Sequence, residues 1–156
     1  MSFLDQKSEA IISKYLGNNF LVGKANYSFL FWNIYDAELY STSNKFNSNE
    51  LAIILKYNRS IDKETLVKET INDIKEQKNI SKEQEEKWKS LLETIYIDTE
   101  TNKKFIAIKI KNKSIFYYNN KKLHESFDKE FNQLFFDIWL RSNSKNPNFT
   151  KTLLGQ

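Results

Sequence analysis

The order of elements along the chain predicts an α+β fold, an antiparallel sheet with helices gathered on one face. Three observations carry this reading. Apolar residues alternate with period two in segments near the start and again past the middle of the chain. Between and after those segments they recur at i, i+3, i+4 and i+7. The resulting order of strands, two helices, strands and two helices is that of an α+β protein, not the alternation of a parallel sheet. No linker or internal repeat interrupts the 156 residues, a length that suits a single domain, 1–156, with 1–19 as an N-terminal helix or extension.

The elements are justified in turn. Ser8 to Leu16 forms a short helix through the i,i+4 pairs Ile11/Tyr15 and Ile12/Leu16, with Gly17 at the C′ position. Phe20, Val22 and the run Tyr27-Phe29-Phe31 make a first extended segment, Trp32 to Tyr40 a second and Leu51 to Tyr57 a third. Asp62 caps a helix with stripe Val67, Ile71 and Ile74, and Ile61 and Leu66 form a hydrophobic staple across the cap. Ser81 and Gln84 form a capping box for the next helix, whose buried positions are Trp88, Leu91, Leu92 and Ile95. Lys104 to Lys111 alternates again, with Phe105 and Ala107 on one face and Ile106, Ile108 and Ile110 on the other. Ser114 to Tyr118 returns, and Asn119-Asn120 makes a tight turn because Asn tolerates left-handed backbone. Ser126 caps the long helix with stripe Phe127, Phe131, Leu134, Phe135 and Ile138. Pro147 after Asn146 starts a last helix at N1.

Composition narrows the function. Hydrophobic residues at 40% and aromatics at 15% exclude a disordered chain. The absence of Cys removes disulfides, thiolate nucleophiles and Cys-bound metal, and a single His, His124, excludes a His-rich metal site. No phosphate loop, Ser-His-Asp set or cofactor motif is present, so no cofactor and no nucleic-acid partner are expected. The net charge of +4 is unevenly placed: lysines 103, 104, 109, 111, 113, 121 and 122 lie in a stretch without an acid. Such a stripe attracts anionic lipid, or simply keeps an edge hairpin solvated. No apolar run approaches the roughly 20 residues of a membrane span. Asp5, Lys7, Glu9 and Lys14 interrupt the start as a signal peptide. A soluble cytoplasmic protein or a mature exported one is expected.

Several segments, taken together, resemble the chalcone isomerase-like family in its bacterial branch. They are Leu21-Val22-Gly23-Lys24-Ala25, Ile34-Tyr35-Asp36-Ala37-Glu38-Leu39-Tyr40, Leu55-Lys56-Tyr57-Asn58-Arg59-Ser60-Ile61, Trp88, Phe116-Tyr117-Tyr118-Asn119-Asn120, Phe135-Phe136-Asp137-Ile138-Trp139-Leu140 and Leu153-Leu154-Gly155. The resemblance runs from about Leu21 to the end of the chain. It implies an open-faced β-sandwich, an antiparallel sheet covered by helices with a ligand cleft between them, and for the bacterial branch an exported, periplasmic location. It also implies one of three activities: chalcone cyclisation, fatty-acid binding or non-catalytic assistance of a partner. The enzyme's Arg position falls near Gly23-Lys24, and its Thr position falls on Leu30. A Leu holds no water by hydrogen bonding, and a Lys lacks the planar fork of Arg, so the isomerase positions are lost.

The leading expectation is thus a non-catalytic domain binding a fatty acid or similar amphipathic molecule. Its candidate site residues are the cations Lys24 and Arg59 at the cleft mouth with Trp32, Tyr35, Tyr57, Phe131, Phe135 and Trp139 as walls. Catalytic and metal-binding residues are not assigned. Arg59 is a candidate carboxylate clamp or a partner of Asp62; Asp36 is a desolvated acid or a backbone-bonding residue; Arg141 sits at a helix C-terminus; His124 is a surface loop residue. Alternatives are an anionic-membrane docking module using the Lys103–Lys122 hairpin and a residual isomerase or lyase.

Overall fold

The computed structural model describes residues 4–156. Residues 1–3, the beginning of the segment weighed as a signal peptide, lie outside that description. Six strands run in sequence order across one sheet: β1 (Phe20–Phe29), β2 (Trp32–Ser41), β3 (Glu50–Tyr57), β4 (Lys104–Ile110), β5 (Lys113–Tyr118) and β6 (Lys121–Ser126). Every neighbouring pair is antiparallel. The helices are α1 (Gln6–Leu16), α2 (Lys63–Gln77), α3 (Lys82–Ile95), α4 (Lys129–Leu140) and α5 (Pro147–Leu153). The α+β open-faced arrangement follows.

Strand alternation sorts the side chains between two cores. Leu51, Ile53, Leu55 and Tyr57 of β3 face α2–α5 together with Phe105, Ala107 and Phe116. Ala52 and Ile54 face the other way with Ile106, Ile108, Ile115 and Tyr117, and there Ile12 and Leu16 of α1 cover them. So α2–α5 gather on one face and α1 lies alone on the reverse. Polar contacts tie α1 down, among them Lys104 Nζ to Asp5 Oδ2 at 3.0 Å, Ser8 Oγ to Asn120 Oδ1 at 2.7 Å, and the Tyr15 and Tyr117 hydroxyls at 2.8 Å. The Asp5 carboxylate caps α1 by accepting from the Ser8 amide at 2.7 Å, and Gly17 (φ 67) ends the helix in the left-handed region.

The other helix ends show which capping signals act. Asp62 accepts from the Thr65 amide at 2.7 Å, as the sequence predicts. Ser81 accepts from the Gln84 amide at 3.1 Å, but the Gln84 side chain reaches across to Glu130 at 2.8 Å instead of closing the box. Pro147 stands at N1 of α5. For α4 the expectation is corrected: Asp128, not Ser126, caps the helix, accepting from Phe131 N at 3.1 Å, while Ser126 closes β6. Phe127 consequently sits before the helix and is 73% exposed, outside the buried stripe. His124 is also corrected, because it belongs to β6 and pairs with Phe116 across the ladder.

Two glycines are demanded by packing. A Cβ at Gly23 would stand 2.3 Å from the Leu153 carbonyl oxygen, so α5 lies directly on the β1 backbone. Gly155 (φ 78) closes the same contact, with its Cβ position 2.7 Å from the Val22 carbonyl oxygen.

Candidate functional site

The period of two decides which predicted residues meet. On β2 the odd positions face α4 and α5, so Tyr35 points inward, opposite Tyr57 on β3. Trp139 of α4 donates its indole N–H to the Tyr35 hydroxyl at 2.9 Å. Tyr35 also meets the rings of Tyr27 at 5.1 Å, Tyr57 at 6.1 Å and Phe149 at 6.1 Å. Trp139 continues into Phe135 at 5.1 Å, and Phe135 into Phe131 at 5.7 Å and Phe116 at 5.3 Å. Tyr35, Tyr57, Phe131, Phe135 and Trp139 therefore form one aromatic layer under α4. Phe131 and Phe135 are fully buried and fill that layer. Burial pushes the Tyr35 and Tyr57 phenols well above their ordinary range, which keeps both neutral and unsuited to act as bases near neutral pH.

The other three candidates lie elsewhere. Lys24 pairs with Glu38 in the β1–β2 ladder, an even position, and so faces the α1 side. Its ammonium stands 3.6 Å from Glu38 Oε2, and the fully buried Glu38 also accepts from the Tyr40 hydroxyl at 2.8 Å. Trp32 and Arg59 meet at the far tip of the β1–β2 hairpin, the guanidinium 4.2 Å from the ring centroid. Leu30, placed on the enzyme's Thr position, is a left-handed turn residue (φ 55) at that tip and is largely exposed. It does not look into the space between sheet and helices. Asp36 belongs to a network of amides beneath the tip, accepting from Asn26 at 2.7 Å and Asn58 at 3.3 Å. Arg141 donates to Asp73 at 2.7 Å and to the Asp137 carbonyl oxygen at 3.1 Å, a tie between α2 and the end of α4.

The lysine stripe does not form one basic face. Lys104 reaches Asp5, and Lys113 and Lys122 both pair with Glu125. Lys109 turns inward, to the face of Phe105 and Ala107. It is 5% exposed, its ammonium donates to Gln133 Oε1 at 3.1 Å, and burial lowers its pKa. It lines a groove of about 490 Å³ between the β4–β5 end of the sheet and α4, with Asn49, Lys111, Lys129, Asn132 and Gln133. Two buried polar atoms near Lys109, Asn132 Oδ1 on the groove wall and Ser114 Oγ opposite Lys109 in the ladder, have no hydrogen-bond partner in the protein. The Asn132 amide nitrogen is fully used, donating to the Asn112 and Ser126 carbonyl oxygens at 2.7 and 3.0 Å. The sequence carries the signal for Lys109: alternation in β4 puts it in register with Phe105 and Ala107, on a buried face. Counting it as one charge in a stripe hides it. Among the described residues no cluster of His, Asp or Glu could hold a metal ion, and no helix is long and apolar enough to cross a membrane.

Comparison with known structures bears on this geometry. The chain superposes on a fatty-acid binding protein of Arabidopsis thaliana with a TM-score of 0.68 and 11% identity, over 89% of this chain and 88% of that one. The fold is chalcone isomerase-like. At that identity the likeness is one of architecture. An uncharacterized protein of Haemophilus influenzae is 26% identical over 137 residues, covering 86% of this chain and 67% of its own length. No protein-family model matches the chain.

Proposed function

We propose that the chain is a non-catalytic ligand-binding protein. It takes an amphipathic carboxylic acid, of the fatty-acid class, at the boundary between the sheet and α4. Lys109 carries this reading. A buried ammonium whose direct hydrogen bond goes to a neutral amide, with the Asp137 carboxylate set behind that amide, and which faces a groove within the size range of small-molecule sites, favours an anionic group. Ser114 stands beside it with an unused hydroxyl, whose proton suits a carboxylate oxygen, while the unused Asn132 Oδ1 is an acceptor and takes no part in holding the anion. On this reading Lys109 is the cation of the site in place of Lys24, which faces the α1 side of the sheet, and Arg59, which lies at the hairpin tip. The solved structure of similar fold is itself a fatty-acid binding protein by name, which supports the ligand class.

The ligand tail belongs in the aromatic layer of Phe131, Phe135 and Trp139. Those rings fill it in the closed form, so α4 must move outward for entry, and association is slow. The test is native mass spectrometry of freshly purified protein with thermal shift against lauric to stearic acid. Lys109→Met should weaken binding by about tenfold or more, the worth of one charge-assisted hydrogen bond. An absence of both co-purified acid and thermal shift would overturn the reading.

A further inference from the structure

The β1–β2 hairpin presents an unusual tip. Phe29, Leu30, Phe31 and Trp32 follow one another around its turn and are 58%, 78%, 100% and 56% exposed. Isolated exposed apolar side chains are ordinary, but a contiguous group at the point of a protrusion is a contact surface. The hairpin does protrude: β3 pairs with β2 only from Tyr35 onward, and the Asn58 amide donates to the Ile34 carbonyl oxygen at 2.9 Å as the last support. Beyond that point the two strands pair only with each other, touched from outside by the Asn58 side chain, which donates to Asn33 Oδ1 at 3.1 Å, and by Arg59 over Trp32.

The turn chemistry sharpens the case. At the β5–β6 turn, at the same end of the sheet, left-handed backbone is taken by Asn119 and Asn120 (φ 47 and 72), residues that tolerate it. At the β1–β2 turn it is taken by Leu30 (φ 55), as by Lys111 (φ 55) at the β4–β5 turn, and there the Cβ crowds the following carbonyl oxygen. The tip keeps a bulky apolar residue where the backbone favours Gly or Asn.

The charges around the tip point to one occupant. Gly23 to Tyr35 contains no acid. Arg59 lies over Trp32, and Lys145, which also reaches Glu76 at 3.3 Å, borders the shallow recess beside Tyr27 and Ser28. The nearest acid in the hairpin, Asp36, is held by Asn26 and Asn58 below the tip. An apolar point with a Trp and cations behind it has the layering of a lipid interface: hydrocarbon, then indole at the boundary, then anionic headgroups. A protein partner or a second copy fits less well. Four side chains on a convex turn fall far short of the roughly 20–30 residues a side of a stable protein interface.

We propose that the β1–β2 turn docks on anionic bilayers, inserting Leu30 and Phe31 into the interfacial layer with Trp32 and Arg59 at headgroup depth. This surface is separate from the Lys109 groove. The test uses the full chain with vesicles of phosphatidylcholine alone or mixed with phosphatidylglycerol. Trp88 and Trp139 are buried, so a blue shift of the tryptophan emission reports Trp32 entering lipid. The expected result is a blue shift and partitioning onto the mixed vesicles that salt weakens. The double substitution Leu30→Gly with Phe31→Asn should reduce partitioning by about tenfold or more while keeping the fold, because Gly suits the first central position of a hairpin turn where only that residue has positive φ. It should leave acid binding intact, as Lys109→Met should leave vesicle binding intact. Four results would overturn the proposal: no partitioning at low salt; partitioning unchanged in the double variant; partitioning lost only when Lys111, Lys121 and Lys122 are neutralised; or a self-association that the double variant abolishes without any vesicle binding.

Discussion

The two faces of the sheet solve the same burial problem with different means. The α2–α5 face is aromatic and thick. Rings from three strands and α4 touch in an unbroken series from Tyr35 through Trp139 and Phe135 to Phe105 and Phe116. The α1 face is aliphatic and thin, with isoleucines from β3, β4 and β5 under a single 11-residue helix. A helix of that length is marginal by itself in water, so its order depends on docking. The expected consequence is that the first face holds the fold and the second opens as a local unit.

Breaking the thick face should cost most. Phe135→Ala removes a side chain in contact with Phe105, Phe116, Phe131, Phe136 and Trp139, and should destabilise the whole protein by about 3–5 kcal/mol, read from the denaturant midpoint. Ile12→Ala on the thin face should cost about 2–3 kcal/mol or less, because undocking α1 caps the loss. Hydrogen exchange should then accelerate in α1 while the α4 amides stay protected. Accelerated exchange in α4 would show that the faces are coupled. Gly23→Ala tests the contact of β1 with α5, and the forced shift of the Leu153 carbonyl should cost about 1–3 kcal/mol.

The smallest effect belongs to the α1 cap. Asp5→Ala should cost about 1 kcal/mol of helix stability. The Ser8 amide holds the Asp5 carboxyl well below the usual carboxylate range, with Lys104 adding to it. A lowered folded pKa means that this stabilisation is complete above the unfolded value near ~4 and is lost as the pH falls below it. Acidification should therefore loosen α1 before the rest, as exchange at its amides will show, and Asp5→Asn should flatten that pH dependence.

What could be seen in the sequence follows from how local each signal is. The alternation of Lys104–Lys111, the Asp62 cap and the Pro147 start are local, and the structure has them where the sequence places them. The cap of α4 was ambiguous because Ser126 and Asp128 are both good capping residues two positions apart, and only the extent of β6 separates them. That strand has no signature in the sequence because Lys121–Ser126 is an edge with one hydrophobic residue, Leu123, and so lacks an alternating pattern. The site was less legible than the fold. Trp32 reads as cleft wall because aromatics in strands usually are, and nothing marks the turn at Leu30-Phe31, neither Gly nor Asn. Lys24 and Lys109 differ only in which face their strand position gives them, a matter of register rather than of residue type. The reverse-face position of α1 depends on where the chain enters the sheet, which periodicity does not encode.

The Gly23 contact also sets an order of events. A meander pairs each strand with the next as the chain grows, so β1 and β2 can zip early. The inner side of β1 nevertheless waits for α5, which arrives only after every other strand and helix has been made. Until then the apolar side chains Val22 and Ala25 lie uncovered beside an unpaired strand edge, the combination that recruits chaperones or neighbouring nascent chains. The bare backbone at Gly23 is thus a latch that engages late, and the window before it closes is when this protein is most exposed to misassembly.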